Sequence, residues 1–294
     1  MKIQPVDSRI TAFLLDEFRT SWLIRDEKNA LIESGYPSNA LDILNGLAEM
    51  GLALEDIHFI ALTHIHVDHA GGAGYLAREN PKIKVLVHEK GAHHLLDPSR
   101  LMESVRQAYG DRFETVGEVL SIAKDQILSV TNGDRINLGD TSLDVYYTPG
   151  HAKHHVVYHD RTSESVFAGD ALGSKYPHLP NFVLTPPQDY DRDAAKQSID
   201  LIQALNPKRI NFTHLGPYTL DAAGHFFDEL KSNHDRWNEG VCQIVHEEQT
   251  MDPEAVFGKF LEKKPELRNY PEQFFSFRLS IKGILIYLKR IGKI

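Results

Sequence analysis

The stretch LTHIHVDHAGG, residues 62–72, holds four metal-binding side chains within six positions. They are His64, His66, Asp68 and His69. The run IHFIALTH leads into this stretch and predicts a buried strand, because it is apolar and lacks the polar alternation of an exposed strand. Residues two apart in an extended backbone point to the same side, so the first two histidines should face one point.

A single ion of tetrahedral preference would not need all four of its ligands to come from one short loop. Three other strand-like runs each end in a potential ligand beside a turn signal: VYYTPGH at His151, SVFAGD at Asp170 and RINFTH at His214. Each of these alone is a weak signal, because such residues also occur in ordinary surface turns. The joint pattern indicates a site for two ions, and Gly71 and Gly72 predict a tight backbone bend after the loop.

The composition restricts the class of protein. The chain has 294 residues, of which 41% are apolar and 25% charged, as in a soluble globular protein of one or two domains. A formal charge of -9 disfavours nucleic acid and acidic membranes as partners. One cysteine, Cys242, allows no internal disulfide, and no secretion signal or membrane-length apolar run is visible. We therefore expect a cytoplasmic protein.

Short strands separated by turns fill the first half of the chain. SNALDILNGLAEMG, residues 38–51, predicts a helix with Leu41, Leu44 and Leu47 on one face. Residues 98–125 are polar and helix-like, which predicts a helical insertion: a lid, a subunit contact or a plain surface excursion. A second helix is predicted from Asp191 to Leu205, and the chain is helical from Tyr218 onward.

These motifs resemble those of the metallo-β-lactamase superfamily. HIHVDH matches the HxHxDH signature of the family, and TPGH, FAGD and the later TH match its further motifs in the same order. The resemblance covers about residues 8–220 and implies an α/β (α+β) fold, a four-layer αββα sandwich with the metal site at one edge. The chain would form a catalytic domain over residues 1–220 and a C-terminal helical extension over 221–294 packed on it.

The resemblance also implies two divalent metal ions as cofactors. By position, the family pattern assigns the ligands in two sets: His64, His66 and His151 for one ion; Asp68, His69 and His214 for the other, with Asp170 between them. This mixed nitrogen and oxygen set suits Zn²⁺ first, with Fe or Mn²⁺ as alternatives.

Two features depart from the family pattern. Many members support the metal loop with an aspartate in an early DxG turn, whereas IESG offers Glu33, whose longer carboxylate has to reach the loop. Quorum-quenching lactonases carry a tyrosine where this chain has Gly173, and glyoxalase II has Lys-x-Tyr where Lys175 and Tyr176 are adjacent. We predict Lys175, Tyr176 and His178 as substrate-pocket residues, with an ordinary loop as the alternative.

The implied reaction is hydrolysis of a small-molecule thioester, lactone or other ester. Two ions lower the pKa of water from 15.7 toward about 7 and supply a nucleophile at neutral pH. Asp68 would be the catalytic residue that relays a proton. The alternatives are an iron-dependent reaction like that of persulfide dioxygenases, a phosphodiesterase, and a non-catalytic binding protein. The sequence leaves a homodimer open.

Overall fold

The computed structural model describes residues 1–174, 183–214, 216–220 and 225–294. Packing divides the chain into two compact units, each assembled from three segments. Unit 1 comprises Met1–Tyr147, His154–Gly169 and Asn206–Leu220. Unit 2 comprises Thr148–Lys153, Asp170–Leu205 and Asp221–Ile294. The domain boundary expected at residue 220 stays a prediction.

The first sheet of unit 1 has seven strands within the described residues, in the order β1 to β7. Their bounds are Lys2–Pro5, Ile10–Leu14, Thr20–Ile24, Asn29–Ile32, Ile57–Ala61, Lys84–His88 and Ile127–Val130. Strands β1 to β4 pair antiparallel, and β4 to β7 pair parallel. Parallel pairing requires crossover connections. Helices supply them: α1 Asn39–Glu49, α2 Val67–Ala70, α3 Ala73–Glu79, α4 Glu89–Leu96 and α5 Ser99–Tyr109.

The second sheet of unit 1 has six strands in the described part of the chain, in the order β13-β12-β11-β10-β9-β8. Their bounds, from β8 to β13, are Arg135–Asn137, Ser142–Tyr147, Val156–Asp160, Ser165–Gly169, Arg209–Phe212 and Gly216–Thr219. Only the β11–β12 pair is parallel among these described strands. Strands β11 and β12 therefore end at the same edge, next to the predicted ligands Asp170 and His214.

The core of unit 1 lies between the two sheets and under the helices of the first. Trp22 of the first sheet meets Phe167 of the second edge to face, with ring centroids 5.9 Å apart, and Tyr158 is buried in the same cluster. The outer face of the first sheet packs against the helices through residues such as Leu47 and Leu76. Each fully buried side chain of this size contributes roughly 1.5–3 kcal/mol of transfer free energy.

The predicted insertion, residues 98–125, packs into the core of unit 1. Helix α5 and the 3-10 turn Gly110–Thr115 make up most of this insertion. Its apolar residues join the cluster under the first sheet: Leu101, Val105, Val116, Val119 and Ile122. A segment packed this way differs from a plain surface excursion, because removing it would expose the cluster to water.

Unit 2 contains four α-helices in its described parts. The helices are α6 Arg192–Ala204, α7 Phe226–Glu248, α8 Pro253–Lys263 and α9 Phe274–Arg290. Asp191 begins α6 by accepting a hydrogen bond from the backbone N–H of Ala194 at 3.0 Å, which confirms the helix expected there. Trp237 of α7 packs on Phe260 of α8 and Phe277 of α9, with centroids 4.8 and 6.3 Å apart.

The buried face of α1 differs from the predicted one. Leu41 is 64% exposed, whereas Ala40, Ile43 and Leu47 face the core. Leu41 and Leu44 follow helical spacing, but spacing alone does not say which of two neighbouring stripes turns inward.

Within the described residues, no helix combines the length and apolar character that crossing a bilayer would require.

Candidate metal centre

The metal loop, residues 62–72, begins where strand β5 ends and contains one helical turn, α2. Gly71 and Gly72 have φ values of -61° and -78°, which any residue can adopt, so the tight bend expected here does not depend on a left-handed backbone. A Cβ on Gly72 would lie 2.4 Å from the carbonyl oxygen of Ser34, and one on Gly71 would lie 2.5 Å from Cδ of Pro37. The glycines are needed because the segment 34–37 packs directly against the loop.

The imidazole of His64 is fixed by Thr63. The Thr63 hydroxyl donates its proton to Glu33 Oε1, so it accepts the Nδ1–H of His64, which lies 3.0 Å away. This tautomer leaves the Nε2 lone pair of His64 as the ligand position. His64 Nε2 lies 2.9 Å from His66 Nδ1, and the ring of His155 stacks on His64 with centroids 5.0 Å apart.

Asp68, His69 and His214 come together within unit 1, with one ligand atom from each lying within 4.8 Å of the others. Asp68 Oδ2 is 3.8 Å from His69 Nε2 and 3.5 Å from His214 Nε2. His69 Nδ1 faces Glu33 Oε1 at 3.1 Å, and His214 Nδ1 donates to the carbonyl oxygen of Phe18 at 3.0 Å. Both histidines therefore present Nε2 to the carboxylate, the arrangement by which outer partners orient metal ligands. The donor set fits a divalent ion.

Glu33 reaches the metal loop from strand β4. Its side chain is 1% exposed and contacts Thr63, His69 and the hydroxyl of Thr213, the last at 3.4 Å. Its φ of 65° lies in the left-handed region, which residues other than glycine rarely adopt. Backbone strain of this kind persists where the surrounding structure holds it. Sequence reasoning singled out Glu33 but missed Thr63.

The insertion reaches the neighbourhood of Asp68 through a pair of tyrosines. The hydroxyls of Tyr36 and Tyr109 lie 2.8 Å apart, and the guanidinium of Arg19 lies 4.1 Å from the Tyr36 ring centroid. Burial, and next the charge of Asp68, raises the pKa of Tyr36 to about 12. The same two causes raise the pKa of Tyr109. Both hydroxyls are therefore protonated at neutral pH, and neither was predicted from the sequence.

Unit 2 carries the other two predicted ligands. His151 Nε2 lies 3.6 Å from Asp170 Oδ2, and the Thr185 hydroxyl donates to that oxygen at 3.2 Å. Gly150 has a φ of 133°, and a Cβ there would lie 2.4 Å from the backbone of Ala195. His151 is therefore held close to the start of α6.

A cavity in unit 2 opens beside these two ligands. Its wall includes Thr185, Tyr190 and His234 as well as His151 and Asp170. Neither Tyr190 nor His234 belongs to a motif that sequence reasoning could recognise. The predicted pocket residues Lys175, Tyr176 and His178 lie outside the described residues.

Acid should weaken the fold through His234. Burial lowers the pKa of His234 to about 4, against an ordinary value of 6.5. The unfolded state then binds more protons between these values, so this contribution to stability is complete above pH 6.5 and is lost as the pH falls toward 4. The loss is on the order of 3 kcal/mol. We expect His234→Gln to flatten the unfolding free energy between pH 7 and 4.5, measured by urea titration. Parallel curves for the two proteins would contradict this.

The chain is similar to several known proteins. Residues 15–214 match the family model described as metallo-beta-lactamase superfamily. The metallo-beta-lactamase fold-containing protein ST1585 of Sulfurisphaera tokodaii is 27% identical over 205 residues, 68% of this chain and 74% of that protein. Acyl-coenzyme A thioesterase MBLAC2 of Homo sapiens is 30% identical over 187 residues, 54% of this chain and 61% of the relative. Hydroxyacylglutathione hydrolase of Aeromonas salmonicida is 30% identical over 153 residues, which cover 52% of this chain and 46% of that protein.

Solved structures support the same architecture. The structure of ST1585 has a TM-score of 0.65 at 23% identity and covers 91% of this chain and 93% of its own. The structure of a metallo-beta-lactamase family protein from Thermus thermophilus has a TM-score of 0.66 at 20% identity. It covers 99% of this chain and 92% of its own. With the mixed sheets described above, these similarities confirm the predicted α/β sandwich with C-terminal helices.

Proposed function

Because the chain belongs to the metallo-beta-lactamase superfamily, we propose that it is a metal-dependent hydrolase that cleaves a thioester or another ester of a small molecule. Membership of this superfamily supports metal-dependent hydrolysis. The observation that carries the proposal is the placement of the Asp68 carboxylate 3.8 and 3.5 Å from the Nε2 atoms of His69 and His214. Each of these imidazoles is oriented by an acceptor at Nδ1.

In this proposal, Glu33 and Thr63 orient the predicted metal ligands and Asp68 accepts a proton. Glu33 and Thr63 hold the imidazoles of His69 and His64 in the tautomer that binds metal through Nε2. Divalent ions at such ligands supply a nucleophile at neutral pH by lowering the pKa of water. Asp68, whose side chain is 20% exposed, is placed to accept a proton during the reaction. The assignment of seven ligands to two ions stays a prediction, for which metal counting is the test.

The relatives favour an acyl substrate. Both named activities among them, acyl-coenzyme A thioesterase and hydroxyacylglutathione hydrolase, concern acyl thioesters, although the chain spans less than two thirds of those proteins. Thioesters share with lactones and oxygen esters a carbonyl carbon that water can attack. We therefore place thioesters first and the other esters second.

Zinc-, iron- and manganese-loaded protein should hydrolyse thioesters in a panel that also holds a lactone, an oxygen ester and a phosphodiester. Removal of metal with a chelator should abolish the activity, since the nucleophile depends on the ions, and re-addition should restore it. Thiol release and metal content per chain are the measurements. His69→Ala is the inactive control and His246→Gln, on the exposed end of α7, is the active one.

Two outcomes would contradict the proposal. About one iron per chain with oxygen uptake on a persulfide would identify a dioxygenase instead. Cleavage of the phosphodiester alone would identify a phosphodiesterase. The cytoplasmic location and the homodimer stay predictions.

A further inference from the structure

The cavity in unit 2 is small and has polar groups in its wall. The space open to the centre of a water molecule is about 10 Å³, which is room for one water molecule. The side chains of His151, Asp170, Thr185 and His234 all line it. A buried space of this size holds a water where the wall offers about two to four hydrogen-bonding groups. The donors and acceptors of these side chains therefore decide whether the cavity is hydrated.

A chain of hydrogen bonds fixes His234 beside the cavity. The Tyr190 hydroxyl lies 2.8 Å from His234 Nδ1, and Asn238 Nδ2 donates to that hydroxyl at 2.9 Å. Asn238 Nδ2 also donates to the carbonyl oxygen of His234 at 2.8 Å, one turn earlier in α7. The exposed fractions of Tyr190, His234 and Asn238 are 2%, 6% and 2%. Their protons therefore have few alternative partners.

The direction of these hydrogen bonds follows from the helix carbonyl. If the Asn238 amide were reversed, its oxygen would face the carbonyl oxygen of His234, and two acceptors would meet without a proton. With Nδ2 donating, the Tyr190 oxygen accepts from Asn238, so its own proton goes to His234 Nδ1. Burial lowers the pKa of His234 to about 4, so the ring is neutral at pH 7. His234 is therefore the neutral tautomer that carries its proton on Nε2.

The Nε2–H of His234 is the donor that remains. It has no acceptor among the described residues, and the neighbouring atoms leave this nitrogen open to a water molecule. The ring lines the cavity, which is open space of the right size. A buried donor without an acceptor is destabilising, whereas a water molecule in the cavity satisfies it.

Thr185 and Asp170 supply acceptors in the same wall. The Thr185 hydroxyl donates to Asp170 Oδ2 at 3.2 Å, so it accepts from Nδ1–H of His151, which lies 3.4 Å away. This leaves the Nε2 lone pair of His151 directed at Asp170 Oδ2, 3.6 Å away. A carboxylate has about four lone-pair positions on its two oxygens. The carboxylate of Asp170 can therefore accept from a water molecule as well as from Thr185.

We propose that the cavity binds one ordered water molecule, which accepts the Nε2–H of His234 and donates to the carboxylate of Asp170. His234 is then a positioning residue that orients a predicted metal ligand through this water, as outer partners do in metal sites. The chain of hydrogen bonds ends at the amide of Asn238, which takes up no proton, so it fixes the water and does not carry protons away. Hydration of the cavity goes beyond the hydrolase function proposed above, whereas the effect on metal binding rests on the ligand set of that proposal.

High-resolution diffraction from crystals of the full chain, both metal-free and zinc-loaded, tests the water directly. We expect one water molecule within about 3.2 Å of His234 Nε2 and of an Asp170 carboxylate oxygen in both forms. Histidine labelled with ¹⁵N should show the Nε2–H tautomer of His234 at pH 7 by nuclear magnetic resonance, with His234→Gln identifying the signal. No water at this place, a water present in the zinc-loaded crystals alone, or an Nδ1–H tautomer would each overturn the proposal.

Two substitutions of His234 separate the water from the contact with Tyr190. Asparagine places its amide oxygen near the position of Nδ1, so His234→Asn keeps an acceptor for Tyr190 and loses the donor to the water. Glutamine reaches the position of Nε2, so His234→Gln keeps that donor and loses the acceptor for Tyr190. We expect His234→Asn to bind zinc about tenfold more weakly and His234→Gln to stay within about twofold of wild type. Competition with a chromophoric chelator at pH 7 measures both affinities.

His246→Asn, at the exposed end of the same helix, is the matched control and should bind zinc like the wild type. If His234 served only to hold Tyr190, the order would be reversed, with the weaker binding in His234→Gln. That reversed order, or equal zinc affinities of the two variants, would sink the proposal. If the wild type binds no zinc, the predicted ligand set and the proposed function fail, and diffraction still decides whether His234 and Asp170 share a water molecule.

Discussion

Replacing Asp68 with asparagine should lower kcat/KM by at least about 1,000-fold, because the ion that supplies the nucleophile is lost or misplaced. The substitution keeps the size of the side chain and removes the charge that faces the Nε2 atoms of His69 and His214. An amide oxygen binds divalent ions more weakly than a carboxylate, and the amide nitrogen does not bind them at all. We expect the metal content to fall by about one ion per chain, measured by mass spectrometry after gel filtration.

Asp111→Asn is the matched control for this change. Asp111 is exposed in the 3-10 turn after α5, so its substitution alters the net charge of the protein by the same amount. The control should keep full activity and metal content. Full metal content in Asp68→Asn together with the loss of activity would assign Asp68 to proton transfer alone. Wild-type activity in Asp68→Asn would remove this residue from the proposed centre.

Replacing Glu33 with alanine should give the largest loss of stability. Its carboxylate is an acceptor for the hydroxyl of Thr63, for Nδ1–H of His69 and for the hydroxyl of Thr213. All of these donors are buried, and leaving them without an acceptor costs about 3 kcal/mol of unfolding free energy. For a chain of this size we expect the midpoint of thermal unfolding to fall by roughly 6–12 °C in the metal-free protein.

Glu33→Gln separates the carboxylate from the space that it fills. Glutamine keeps one acceptor oxygen and the side-chain volume, so it should lose about 1 kcal/mol. Both variants should bind metal about 10- to 100-fold more weakly, because His69 is no longer oriented by a carboxylate. Each kcal/mol of stability shifts the midpoint by roughly 2–4 °C. A midpoint of Glu33→Ala within about 1–2 °C of wild type would therefore show that the contacts of Glu33 contribute little to stability.

Much of the candidate centre in unit 1 could be predicted, because its predicted ligands follow short, continuously apolar strands. Strand β5 runs into the metal loop, and His214 lies two residues after the end of β12. Buried strands have this sequence signature whatever surrounds them. A histidine or carboxylate after such a strand can therefore be recognised in the sequence. The order of the motifs supports the family resemblance from which the two ligand sets were assigned.

Other features depend on packing that no local pattern records. The role of Gly72 comes from the carbonyl oxygen of Ser34, which is distant in sequence. The inward face of α1 is decided by what lies opposite it, so Leu41 is exposed although its spacing suits the core. Tyr190 and His234 are 44 residues apart and meet only after unit 2 has folded. Neither carries a signature on its own, since isolated histidines and tyrosines are common in helices and loops.

The segmented make-up of the two units limits how the protein can be dissected. Each unit is assembled from three separate segments that alternate along the chain. Neither corresponds to an uninterrupted gene fragment, so truncation after residue 220 would delete α7, α8 and α9 while leaving Thr148–Lys153 and Asp170–Leu205 without the rest of unit 2. Studies of either unit therefore need the intact polypeptide with point substitutions.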